Sequence, residues 1–242
     1  MGALPDTKNR RRIYLMRHGH VNYFAQPEDG SELDTKQVPL TKRGQRQADA
    51  AGEALSGVQF DVAISSGYPR TRETAERVLA ANNGPVPLLE TEPRLVEIHA
   101  GTMSHAIMSR ESLTHAMERL FGDAPQPETT FGEGGEAFGD VMHRCRDAIS
   151  DLLARDDWTT ALIAAHEGVN RVLLSSIATG GLSAMGAFEQ DTACINIIDV
   201  DQEPDGLNTR MILKAVNVTG DNPGKRGMHR TSLEEIFQPY EE

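Results

Sequence analysis

Between Arg12 and Val218 the chain switches its hydrophobic period repeatedly, and this alternation limits the possible folds more than any single residue does. The runs "RIYLM" (12–16), "FDVAISS" (60–66), "VPLLE" (86–90), "TTALIAAH" (159–166), "CINIIDV" (194–200) and "TRMILKAVNV" (209–218) are short and rich in β-branched and aliphatic residues, as strands are. Helix-type segments separate them. "LTKRGQRQADAAGEAL" (40–55) puts Leu40, Ala48, Ala51 and Leu55 on one stripe, with Thr41 as its cap. "RTRETAERVLAA" (70–81) begins after Ser66 and Pro69 and stops at Asn82, Asn83, Gly84 and Pro85. "GGEAFGDVMHRCRDAISDLLA" (134–154) and "GVNRVLLSSIAT" (168–179) read as two further helices. The stretch from Thr102 to Phe131 is less regular, with a helix expected over 109–121 and a proline-rich turn at 124–127.

Strands alternating with helices of this length predict an α/β three-layer sandwich, a mostly parallel central sheet flanked by helices. No repeat and no long linker divides the chain, and 242 residues suffice for one sizeable core. Residues 1–218 are therefore expected to form a single domain. Residues 219–242, rich in Gly, Pro and charge, are expected to be a poorly packed polar C-terminal tail.

Ligands of such sheets bind outside the carboxyl ends of the strands. His18, in "RIYLMRHGHV", lies just past one expected strand, and His166, in "ALIAAHEGVNR", just past another. Arg17 arrives beside His18, and "SSGYPR" sets Arg70 in the first helical turn after a strand. Helix N-termini favour anions, and arginine adds a planar fork of donors that matches phosphate geometry. The formal net charge is -12, so two arginines and two histidines at one edge form a local anion site on an acidic protein. Phosphate, sulfate and carboxylate all satisfy that physics.

The same charge argues against nucleic-acid partners and acidic membrane surfaces. No apolar run approaches the roughly 18 residues that span a bilayer. The basic N-terminus is not followed by an apolar segment long enough for a secretion signal. Two cysteines, Cys145 and Cys194, lack metal-type spacing and are expected as core residues, which points to a cytoplasmic protein.

"LMRHGHV" resembles the Arg-His-Gly signature of the histidine phosphatase superfamily, which includes the cofactor-dependent phosphoglycerate mutases. Three later segments resemble it in the same order: "SSGYPRTRETAERV", with Arg70; "RLVEIHAGTM", with Glu97; and "IAAHEGVNRVLL", with His166. "PLTKRGQRQA" and "GGEAFGDVMHRCRDAI" are similar to family helices, so the likeness covers roughly residues 12–200. It implies a phosphoglycerate mutase-like fold and a phosphomonoesterase. His18 would attack phosphorus to form a phosphohistidine, and Arg17, Arg70 and His166 would hold the phosphoryl oxygens. Glu97 would act as general acid and then general base, with Glu90 and Glu92 as nearby competitors. No cofactor and no metal is implied.

The sequence also departs from the family pattern. His20 and Val21 replace the polar residue and threonine that usually follow Arg-His-Gly. Phe24 stands where an asparagine is common, while Asn22 falls two residues early and is the candidate to take over its phosphate contact. The second histidine is followed by Glu167 rather than glycine. That side chain is expected to point away from phosphate and to offer only its backbone N–H. Ser104 and His105 replace the usual Glu-Gly pair after Gly101. The segment Glu97-Ile98-His99-Ala100-Gly101 lacks the arginine and tyrosine typical of mutases, so hydrolysis is favoured over mutase-type transfer. A non-catalytic phospho-ligand module is a second alternative, and a metallohydrolase on His18, His20 and His166 a third. The expected partner is a small phosphorylated substrate chosen by a lid over 102–131. Oligomeric state is left open, with a homodimer among the options.

Overall fold

The computed structural model describes residues 10–25, 33–101, 115, 119, 121, 126–130, 132–202 and 209–236. Six strands form one sheet: β1 (Arg11–Arg17), β2 (Val62–Ser65), β3 (Leu89–Thr91), β4 (Thr160–Ala165), β5 (Ile195–Gln202) and β6 (Thr209–Val218). Their order is β3-β2-β4-β1-β5-β6. The pairs β3–β2, β2–β4 and β4–β1 are parallel, while β5 runs antiparallel to both β1 and β6.

Among the described residues, the continuous helices are α1 (Lys42–Leu55), α2 (Pro69–Ala80), α3 (Phe138–Leu153), α4 (Glu167–Thr179) and the short α5 (Ser232–Ile236). Successive strand residues face opposite sides of a sheet, and β1 shows the result. Ile13 and Leu15 enter a core with Phe138, Val141 and Val169 of α3 and α4. Tyr14 and Met16 enter a second core with Ala51, Leu55, Val78 and Leu79 of α1 and α2. β4 is divided the same way, Ile163 on one side and Leu162 on the other. Both faces of the central strands are covered, which is why these strands read as continuous apolar runs. The expected three-layer sandwich is the one found.

Local signals set the element ends. Thr41 Oγ1 accepts a hydrogen bond from the Gly44 amide at 3.1 Å, as a cap should. Pro69 opens α2, and Gly180, at φ 75°, closes α4. Two expectations need correcting. The helix expected from residue 134 starts at Phe138, because Gly134 has φ 73° and Ala137 is extended and bridges Thr130. The polar stretch after 218 is exposed over much of 221–230, as a loosely packed segment is, but it is anchored at Thr219 and again at 232–233. Leu233 is buried in the core shared by α3 and α4, and Thr219 and Ser232 are also buried. The two buried hydroxyls have internal partners, Thr219 Oγ1 donating to the Asn222 carbonyl at 2.9 Å and Ser232 Oγ to Glu167 Oε1 at 2.6 Å. The helix expected at 109–121 and the turn at 124–127 lie mostly outside the described residues. Cys145 and Cys194 are buried free thiols.

Candidate active site

The parallel pairing of β1 with β4 sets Arg17 opposite Ala165, so the next residues, His18 and His166, leave the sheet side by side. Their ring centroids are 5.3 Å apart. Ser66 leaves the neighbouring strand β2 and joins its Oγ to His166 Nε2 at 2.8 Å and to Thr71 Oγ1 at 2.9 Å. Arg70, in the first turn of α2, sends its Nε to His18 Nε2 at 3.3 Å. Arg17, His18, Arg70 and His166 are all buried, at 3% exposure or less.

The tautomer of His18 follows from its partners. Its Nδ1 lies 2.8 Å from its neighbour's carbonyl, Gly19 O, which can only accept. Nδ1 therefore carries the proton, and Nε2 presents a lone pair on the side where Arg70 sits. Burial, then the charge of Arg70, then His166 and Arg17 hold the His18 pKa well below the usual imidazole range. Burial, Arg70 and Arg17 do the same for His166. Both rings stay neutral at pH 7.

Two buried nitrogens in this cluster have no hydrogen-bond partner among the described residues: Arg17 Nε, a donor, and His166 Nδ1, whose role depends on the tautomer of the ring. Unpaired buried polar atoms are rare and call for an explanation. The unpartnered arginine donor fits an anion that supplies its missing acceptor.

Glu97 lies at the start of α4. Its Oε1 accepts from the Ile98 amide at 2.9 Å and its Oε2 from the Gly168 amide at 3.3 Å. Burial pushes its pKa up, although those two amides pull against the shift. The competing glutamates are engaged elsewhere, Glu90 with Arg155 and Glu92 with Arg94.

Two other expected residues behave differently. Asn22 turns its side-chain oxygen to the Phe24 amide at 3.0 Å, closing a local turn. The same turn brings Tyr23 to the cluster, with the Arg70 guanidinium 5.6 Å from its ring centroid. Glu167 is buried and ion-paired to Arg17 at 3.0 Å and to Arg171 at 2.9 Å. Its side chain thus turns toward the cluster's own arginine, because two guanidiniums there neutralise it. His20 binds Thr41 Oγ1 through Nδ1 at 2.9 Å, and burial, with Arg43 and Arg17, lowers its pKa to about 4. Among the described residues no group of three or more His, Cys, Asp or Glu could hold a metal ion.

Sequence reading missed Ser66, Tyr68 and Tyr23 as site residues. Tyr68 packs edge-on to His166, with centroids 5.3 Å apart, and under Arg70, 4.8 Å from its ring. Ser66 and Tyr68 lie within the quoted "SSGYPR", where Ser66 reads only as a helix-start signal and Tyr68 carries no signal. Beside the cluster, on the β5–β6 side, a cavity of about 450 Å³ is lined by Arg17, His18, His20, Arg43 and Asp191 among others.

Comparison with known proteins identifies the family. A family model described as "Histidine phosphatase superfamily (branch 1)" matches residues 13–210. The adenosylcobalamin/alpha-ribazole phosphatase of Escherichia coli is 28% identical over 194 residues, covering 79% of this chain and 91% of that one. The glucosyl-3-phosphoglycerate phosphatase of Mycobacterium tuberculosis is 30% identical over 182 residues, 69% of this chain and 75% of its own. The solved structure of a mycobacterial glucosyl-3-phosphoglycerate phosphatase superposes with a TM-score of 0.67 at 23% identity, covering 86% of this chain and 99% of that one. At that identity it speaks for the fold. With the family match spanning most of its length, the chain belongs to branch 1 of the histidine phosphatase superfamily and is a phosphomonoester hydrolase.

Proposed function

We propose that the protein hydrolyses a small phosphorylated metabolite in the cytoplasm, without a metal, through a phosphohistidine on His18. The observation that carries this reading is the tautomer. Nδ1 is tied to Gly19 O, and Nε2 is left as a neutral nucleophile beside a buried guanidinium. Its lone pair attacks phosphorus and forms the P–N bond as the ester P–O bond breaks. Arg17, Arg70 and His166 hold the phosphoryl oxygens and stabilise the charge that develops on them. The proton of Glu97 passes to the departing alkoxide, and a raised pKa suits a carboxyl group for that donation. Glu97 then takes a proton from water, the water oxygen bonds phosphorus, and the P–N bond breaks to regenerate neutral His18. The Asn22 Nδ2 group and the Glu167 backbone amide, in the first turn of α4, are further phosphate donors in this scheme. The described part of 10–218 carries the whole set, in keeping with one catalytic domain.

The test is a panel of phosphomonoesters assayed with and without EDTA, together with an alkaline denaturing quench during turnover. The expected result is EDTA-insensitive release of phosphate and an acid-labile, base-stable phosphoryl group on the peptide containing His18. Turnover abolished by EDTA, or phosphate trapped on another residue, overturns the proposal.

A further inference from the structure

One residue from the cluster, the Arg17 side chain is held by a second buried group of charges. Arg17 Nη1 donates to the Gln190 carbonyl at 2.5 Å and lies 3.0 Å from Glu167 Oε2. The other oxygen of Glu167 is held from two directions. Oε1 accepts from Arg171 Nε at 3.2 Å, from Arg171 Nη2 at 2.9 Å, and from Ser232 Oγ at 2.6 Å. Glu189 closes the set. Its Oε1 accepts from Arg171 Nη2 at 3.0 Å and from the Ser232 amide at 3.1 Å, and it also contacts Ser232 Oγ. The group holds two guanidiniums and two carboxylates, with Ser232 between the carboxylates. The serine has one hydroxyl proton, so it serves one carboxylate at a time.

An arginine side chain has many rotamers, and a catalytic guanidinium must be held within a fraction of an ångström. At Arg17 that holding is done by groups that cannot themselves bind phosphate. Gln190 offers a carbonyl, and Glu167 offers a carboxylate that would repel the anion. Gln190 hydrogen-bonds Nη1 and Glu167 Oε2 pairs with it by charge, without a hydrogen bond of its own, and both leave Nε, which has no partner among the described residues. We infer that Glu167 is the positioning residue for Arg17, and that Ser232, from the segment after β6, holds Glu167 in turn. The inference rests on the phosphatase reading, in which Arg17 holds phosphoryl oxygens. It deepens that reading by extending the catalytic support to a segment sixty-five positions away in sequence.

A positioning carboxylate leaves a signature that a purely structural one does not. Its negative charge weakens anion binding in the ground state, while its geometry serves the transition state. Removing the charge while keeping the shape should therefore separate the two effects. In Glu167→Gln, kcat is expected to fall about ten- to a hundredfold, with KM and phosphate inhibition unchanged or tighter. Vanadate adopts the five-coordinate geometry of phosphoryl transfer, and its advantage over phosphate should shrink by about tenfold. Ser232→Ala keeps the charge and removes one hydrogen bond to Glu167, so it should shift kcat and the vanadate-to-phosphate ratio the same way by a few fold.

The inference is overturned if folded Glu167→Gln keeps kcat and the vanadate-to-phosphate ratio within twofold of the unmodified protein. It is also overturned if KM alone rises. Should Glu167→Gln fail to fold, Ser232→Ala decides by the same ratio. Failure of the phosphatase reading looks different, because the unmodified protein would then turn over no monoester. In that event calorimetric titration with vanadate and with phosphate still measures the ratio in both variants, and an unchanged ratio again overturns the inference.

Discussion

Strand β1 begins and ends in basic residues, and its two ends treat them in opposite ways. At the amino end Arg10 makes a two-pronged pair with Asp201, and Arg12 another with Asp199, both carboxylates coming from β5. Arg11 is buried there too, bonded to the carbonyls of Arg155 and Leu153 and to Gln202, with its guanidinium 4.7 Å from the Trp158 ring. At the carboxyl end Arg17 and His18 meet Arg70 and His166, and the carboxylate paired with Arg17, Glu167, grips only Nη1. The first end consumes its donors in holding the fold together. The second keeps an arginine donor over, depresses two imidazole pKa values and leaves a nucleophile uncharged. The carboxyl end is the more deeply buried, but Arg11 is buried at the amino end as well, so burial alone does not mark the site. What marks it is the shortfall of acceptors.

The comparison can be broken at four points. The largest effect is expected at the carboxyl end. His18→Ala should lower turnover by several orders of magnitude with the far-ultraviolet spectrum and melting curve retained, because it removes the atom that forms the covalent bond. A folded His18→Ala enzyme with normal turnover would falsify the assignment of that end as catalytic.

Next comes Glu97→Gln, which keeps shape and loses the proton. Alkyl phosphates should slow by about a hundredfold or more, and aryl phosphates with electron-withdrawing groups by much less. Equal losses across leaving groups would mean that a different acid works there.

Arg70→Gln tests the electrostatic link. Burial is the largest cause of the low His18 pKa and Arg70 the next, so removing that positive charge makes His18 easier to protonate. His18 must be neutral to react. The acid limb of kcat/KM should therefore move to higher pH in Arg70→Gln, and vanadate should lose more affinity than phosphate. An acid limb that stays in place detaches Arg70 from the nucleophile.

The smallest effect on catalysis is expected at the amino end. Arg12→Ala deprives the buried Asp199 of both its charged donors, so it should cost about 1–3 kcal/mol in urea unfolding. Its kcat should be unchanged. A loss of turnover in Arg12→Ala without a loss of stability would erase the distinction between the two ends.

Much of this was legible in the sequence, for identifiable reasons. β1, β4 and β6 follow from short apolar runs, and α1 and α2 from a capping threonine and an N1 proline, all of which are local signals. His18, Arg17, Arg70 and His166 could be placed at one edge because a parallel sheet brings strand ends together. The residues that escaped were those whose meaning lies in a distant partner. Glu167 reads as an intruder beside phosphate until Arg171 and Ser232 are in place. The segment after 218 reads as a tail because its polar residues count as solvated, although Leu233 is a core residue among them. Tyr23 and Tyr68 gave no sign in period or spacing, since aromatic residues in turns have many uses.

The paired glycines at the nucleophile carry a consequence for how this enzyme can drift. A methyl group on Gly19 would collide with the Gly44 carbonyl, and one on Gly44 with the His20 backbone. The start of α1 therefore touches the loop that carries His18 backbone to backbone, with no side chain between them to absorb an error. A wedge the size of a methyl group there would displace the nucleophile by something near an ångström, and misplacements of that size cost about a hundredfold in rate. The surface of α1 can vary widely under selection while its distance from the reacting nitrogen cannot. In that sense the first helix serves as the gauge block against which the active site is set.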